Sequence, residues 1–274
     1  MSSSPPATEL ALPQDGIVLE LRPLQSGIVV LGHAARGLLV VLLAWQLAIW
    51  LLDPPAFLLP SPMRVFMVLG ERADFLLHHA ALTSVEIVLG LLFGTLAGCL
   101  VALSSVALPA FGTLVWPGVL VLQAMPVFAL APLLVLWFGF GLASKVVMAS
   151  LIIFFPVASA FADGLRRTDP AVLESAALLG ASRQAVLWRL RVPLALPSLL
   201  TGLRVAAPLA PLGAVIGEWV GASGGLGFIM LQANARMQSD ILFAALFVLA
   251  AQTLLLRFLV DRLATRIAPW APER

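Results

Sequence analysis

Between Asp163 and Arg191 an otherwise apolar chain turns charged, reading DGLRRTDPAVLESAALLGASRQAVLWRLR. At its centre Glu174-Ser-Ala is followed after three residues by Gly180, and after nine more by Leu190-Arg-Val-Pro193. Glu174, Ala177, Leu178 and Ala181 fall at spacings of 3, 4 and 7, which is one face of a helix. Small residues on such a face let the groove of another protein close over it, so the chemistry is docking rather than bond-making. Asp169 before Pro170 is a capping side chain followed by proline at the first helical position. A short helix then covers Ala171 to Leu179, and Gly180 supplies the left-handed residue that ends it. Ser182 caps a second short helix, Arg183 to Arg191, before Pro193 opens the next hydrophobic run. A cationic helix lying on lipid is the alternative, but it has no need of Gly180 and Pro193 at this separation.

Glu218 is the other residue with chemical weight. A carboxylate at membrane depth costs about 2.5–3.5 kcal/mol on insertion scales, so it must face the bundle interior or water. Two readings stay open: a residue lining or gating a path, or one paired with a neighbouring loop or a second copy of the chain. Gly221 to Gly227 then reads GASGGLG, a tight turn where another backbone can approach closely. No Gly-Lys-[Ser/Thr] occurs and Lys145 is the lone lysine, so the usual phosphate-cradling loop is excluded. Met125, Pro126 and Phe128, with Pro132, mark a kink expected to line a path. His78 and His79 read as interfacial residues, and Asp53 and Asp240 as solvated charges at span ends. Cys99 stands alone, which removes an internal disulfide, and no Ser/His/Asp or Cys/His set has plausible reach. Intrinsic catalysis and a metal centre are not expected.

The elements that carry these residues follow from composition. The chain has 274 residues, is 61% hydrophobic and 11% charged, and has a mean hydropathy of +1.04. That little charge cannot cover a soluble domain, so the class is an all-α polytopic membrane protein. The apolar runs are roughly twice the length that barrel strands need. Six runs are long enough to cross a bilayer: 28–52, 76–104, 107–138, 142–163, 194–220 and 241–264. With both termini inside, only Arg64, Arg72, Lys145 and Arg236 of the 16 cations stay outside, an asymmetry that supports cytoplasmic termini. Residues 1–26 lack a signal peptide's basic start and read as a disordered cytoplasmic tail. Residues 27–274 form one membrane domain, with the charged loop at 164–193.

These motifs together resemble the type I permeases of ABC importers, in the binding-protein-dependent transport family, from about residue 30 to the C-terminus. The family pattern is Glu-Ala-Ala, three residues, Gly, nine residues, Ile, any residue, Leu-Pro. Here Ser175, Leu190 and Val192 are mild departures. The resemblance implies that Glu174, Ser175, Ala176, Ala177, Leu178, Gly180 and Ala181 form a coupling helix held in a cleft of a partner ATPase. It also implies a homodimer, two ATPase subunits that bind ATP and Mg, and a periplasmic or lipid-anchored solute-binding protein. The place is the bacterial inner membrane, and no nucleic acid is involved. Met125-Pro-Val-Phe-Ala-Leu-Ala-Pro-Leu133, Leu136-Trp-Phe-Gly-Phe-Gly141, Pro193 to Arg204 and Gly217 to Gly227 are similar to the nitrate/sulfonate/taurine-like branch. Gly217 to Asp240 is most similar to permeases for hydroxymethylpyrimidine, the thiamine precursor. Gln232, Asn234 and Gln238 offer amides near the outer mouth, suited to a neutral heterocycle or to the binding protein. Aliphatic sulfonate, taurine or nitrate are the alternative solutes. A self-sufficient secondary transporter or channel is the alternative class, and it would require buried charge pairs or unwound helices at mid-membrane.

Overall fold

The structure, a computed structural model, describes residues 22–270. Their regular structure is all helical, with no strand among the described residues. Residues 1–21 of the expected tail lie outside the described residues, while 22–26 already belong to a helix. That helix, α1 (Arg22–Leu52), lies in the first of two compact units, Met1–Asp53.

The second unit, Pro54–Arg274, holds all the remaining helices. Short α2 (Pro62–Glu71) leads into α3 (Ala73–Ala107), whose end is followed directly by α4 (Pro109–Ala124). The corner is tight: Ser104 and Ser105 remain helical, and Leu108 alone makes it. A 3₁₀ turn, Val127–Leu130, joins α4 to α5 (Ala131–Phe138). Next come α6 (Leu142–Arg166) and α7 (Pro170–Leu178). Then α8 (Arg183–Val186), a π turn Leu187–Arg191, α9 (Val192–Ala206), a 3₁₀ turn Ala207–Leu209 and α10 (Ala210–Gly221) run as one rod, Arg183–Gly221. Helices α11 (Leu226–Ala235) and α12 (Ser239–Ile267) complete the unit.

Among the described residues four helices are long and apolar enough to cross a membrane: α3, α6, the α8–α10 rod and α12. The run expected as a third, kinked span is instead a pair of arms, α4 and α5, bent by 94°. Met125 and Pro126 leave the helix in extended backbone, so the bend is a break with a 3₁₀ insert rather than a proline kink. Counted as one span, the pair makes a fifth. The first expected run, 28–52, falls in α1, where the apolar stretch is Leu39–Leu52.

Helix α6 is the centre of the unit, and glycines put it there. In lipid no hydrophobic force drives helices together, so small residues that let backbones touch decide the packing. On one side Gly90, Gly94 and Gly98 of α3 lie against Ala149, the Ser150 carbonyl and Ile153, and Val157 of α6. A methyl added at Gly94 would stand 2.8 Å from the Ser150 oxygen. On the other side Gly202, Gly213 and Gly217 meet Ala160, Ala149 and Lys145. The buried core between them is Ile87, Ala149, Ile153, Val157, Ala206, Ala210 and Ala214. At the far end of α12, Asp261 binds Arg204 at 3.0 Å and Arg257 at 2.9 Å, tying α12 to α9.

Candidate functional site

Local chemistry builds the charged loop. The Asp169 carboxylate accepts from the Ala171 N–H at 2.9 Å, with Pro170 at the first helical position. At the other end Ala181 N–H donates to Ala176 O and Gly180 N–H donates to Ala177 O, both at 3.0 Å. This pair is a Schellman motif, and Gly180 has the positive φ of 74° that it requires. Ser182 then accepts from Ala185 N–H at 3.2 Å and starts α8.

The loop presents a definite face. Leu178 and Leu179 are 90% and 87% exposed, side by side at the tip of α7. Glu174, Ser175 and Gly180 are exposed with them, whereas Ala176 is only 8% exposed and turns inward. Ala177 and Ala181, with Leu173, line a groove of about 620 Å³ between α7, the α3–α4 corner and the start of the rod. Two bare leucines on a capped, rigid helix are an apolar knob without a partner among the described residues. Leu179 is the docking candidate that sequence spacing missed, because it lies one residue past the face counted from Glu174.

A second cavity, of about 600 Å³, opens between α4, the 3₁₀ turn after it, α6 and α9. Gln123 and Val127 face it, as do Ser159 and Asp163 of α6 and Thr201 of α9. Met125, Pro126 and Phe128 do not line it; all three are exposed elsewhere on the break. The 94° bend turns Val127 inward and Phe128 outward, which residue type alone does not reveal.

Glu218 lies in neither cavity with its carboxylate; the residue is 1% exposed. Its Oε1 accepts from Thr83 Oγ1 at 2.6 Å and its Oε2 from Gly227 N–H at 2.5 Å. Thr83 Oγ1 in turn accepts from Leu226 N–H at 2.8 Å, and His79 Nδ1 accepts from Gly225 N–H at 2.9 Å. Helix starts leave N–H groups without internal partners. Here three successive ones at the start of α11 are met by side chains from α3 and α10, and a carboxylate suits the positive end of the helix. The glycines follow from this arrangement. A methyl at Gly225 would overlap Glu218 Oε1, and one at Gly227 would sit 2.7 Å from Oε2. His79, expected as an interfacial residue, is thus also a capping group.

One turn along α3, Glu86 binds Lys145 Nζ at 3.0 Å, and both residues are buried. Lys145 is counted among the outer cations in the sequence; it is inside the bundle because Gly217 leaves room for its stem against α10. Asp240, expected to be solvated, pairs with Arg64 at 3.2 Å and ties α12 to α2. No group of three or more His, Cys, Asp or Glu among the described residues could hold a metal.

Comparison with known proteins places this geometry. Residues 90–271 match the family model described as "binding-protein-dependent transport system inner membrane component". A probable ABC transporter permease protein of Haemophilus influenzae is 47% identical over 83% of this chain and 93% of its own length. The formylaminopyrimidine transport permease protein ThiX of Halalkalibacterium halodurans is 34% identical over 86% and 94%. The taurine transport system permease protein TauC of Escherichia coli is 33% identical over 86% and 89%. Among solved structures, the inward-facing MetNI methionine ABC transporter aligns with a TM-score of 0.57 at 20% identity, covering 70% of this chain and 94% of that one. An amino acid ABC transporter aligns at 0.57 and 16%, covering 75% and 98%. These last two share the fold.

Proposed function

This chain belongs to the inner-membrane component family of binding-protein-dependent transport systems and is the permease subunit of an ABC importer, and we propose how its parts divide that work. Two copies form the transmembrane path, with both termini in the cytoplasm. Each copy docks Leu178 and Leu179, flanked by Glu174, Ser175 and Ala177, into a cleft of an ATPase subunit that carries the ATP and Mg. An external binding protein delivers solute at the mouth near Gln232 and Asn234. Closure of the ATPase pair draws the two α7 helices together, and the rods relay that motion to the path. The chain supplies no ATPase site of its own. The solute is a pyrimidine of the thiamine-precursor type, a reading supported by likeness to ThiX and by a path without arginine clusters.

One observation supports this division above the rest: α7 is locked at both ends by side-chain and Schellman caps yet carries two almost fully exposed leucines. A helix held that rigidly transmits force, and its bare tip needs a partner. The buried Glu86–Lys145 pair is the kind of feature an ion-coupled carrier would use. It is buried beside the cap of α11, however, and neither residue lines the cavity. The test is co-purification of the chain with its ATPase, followed by uptake in proteoliposomes. Uptake should require ATP and the binding protein. Uptake driven by an ion gradient without the ATPase would overturn the reading.

A further inference from the structure

The cavity between α4, α6 and α9 has a chemical character of its own. Ser159 and Asp163 are four residues apart on α6, on one face with Phe155, and Gln123 and Thr201 face the same space from α4 and α9. The lining therefore offers one carboxylate, one carboxamide, two hydroxyls and the rings of Phe154 and Phe155. It contains no Lys, Arg or His. The nearest cation in sequence, Arg166, is engaged over the Trp116 ring, its guanidinium 5.0 Å from the ring centroid. Thr201 Oγ1 donates to Pro197 O, which leaves the oxygen free to accept. The side chains of Gln123, Ser159 and Asp163 have no partner among the described residues.

Given the importer reading above, we infer that this cavity is the solute passage and that Asp163, with Gln123, Ser159 and Thr201, selects neutral or cationic amino-substituted nitrogen heterocycles and rejects sulfonates. An exocyclic amine donates to a carboxylate, ring nitrogens accept from hydroxyl and amide donors, and a flat ring packs on Phe154 or Phe155. A sulfonate needs cationic donors, with arginine the best of them, and would meet an uncompensated carboxylate instead. In a homodimer the two copies of Asp163 would double that bias. The volume of about 600 Å³ is within the usual range, ~300–1,000 Å³, for small-molecule sites.

The experiment uses the whole complex in proteoliposomes, with ATPase and binding protein, and labelled formylaminopyrimidine or taurine as probes. At saturating binding protein, Asp163→Asn should lower formylaminopyrimidine kcat at least tenfold. The KM for loaded binding protein and the stimulation of ATP hydrolysis should stay within twofold, so that ATP is spent without transport. Asp163→Glu should recover at least a third of the rate, and Ser159→Ala or Gln123→Leu should each cost about threefold. A merely structural role would lower uptake and ATPase stimulation together. That result, an unchanged rate in Asp163→Asn, or preference of the wild-type complex for taurine would each overturn the inference and leave the importer reading standing. Absence of ATP-dependent uptake of either probe, with no stimulation by any binding protein, would instead remove the reading on which it rests.

Discussion

Replacing Glu218 with alanine tests whether the enclosed carboxylate is a helix cap. The substitution deletes two hydrogen bonds, at 2.6 Å to Thr83 and 2.5 Å to Gly227, and strands the Gly227 N–H at the start of α11. Bonds to a charged group contribute about 1.5–3 kcal/mol each in soluble proteins. Interhelical bonds inside membranes average about 0.6 and reach about 1.7 kcal/mol. The site is buried and charge-assisted but lies in a membrane protein, so a loss of about 2–4 kcal/mol is expected for the pair. At about 2–4 °C per kcal/mol for a chain of this size, the Tm should fall by about 5–15 °C. Glu218→Gln should cost less than half as much. Its oxygen can accept from Gly227 while its amide donates to Thr83, whose proton then turns to the His79 carbonyl, already 3.2 Å away. The assay is thermal unfolding of the purified complex in nanodiscs, with transport measured per folded complex. Transport per complex should remain within about twofold. An alanine variant of wild-type Tm would refute the cap, and a stable variant that transports slowly would place Glu218 on the path. Glutamine as damaging as alanine would show that charge matters rather than bonding geometry.

Lys145→Met leaves Glu86 buried without its partner and should cost about 3–5 kcal/mol; adding Glu86→Gln should restore most of it, read as Tm in a double-mutant cycle. Gly180→Val forces a β-branched residue to φ 74° in open space, so only backbone strain of about 1–3 kcal/mol opposes it. Membrane content should be unchanged while ATPase association and uptake fall more than tenfold, and Gly180→Asn should retain both, since asparagine tolerates that conformation. Gly94→Leu must drive α3 from the Ser150 carbonyl and should lower Tm by several degrees, whereas Gly118→Ala, with nothing within 4 Å, should not.

What the residues alone determined is what depends on near neighbours in the chain. Hydropathy is a sum over consecutive residues, so the apolar runs, the all-helical class and the membrane setting were legible. Caps act over three or four residues, so Asp169, Pro170, Gly180 and Ser182 announced both ends of α7 and the start of α8, while the expected stop of the second short helix before Pro193 gives way to a continuous rod. The family pattern resided in the same local stretch. Tertiary structure alone decided the groups that meet across the bundle. Thr83 and Glu218 are 135 residues apart, and His79 and Gly225 are 146 apart, so no window of sequence joins them. Lys145 counted as an outer charge because counting cations does not register the glycine at 217 that makes room for its stem against α10. Likewise, Met, Pro and Phe at the break indicated that the helix is interrupted but not which way the arms turn. A few backbone dihedrals at Met125 and Pro126 set that direction, and with it whether Val127 or Phe128 faces the cavity. A charge's burial depends on the shape of the neighbour it packs against, and that neighbour is selected by backbone contacts between helices distant in sequence.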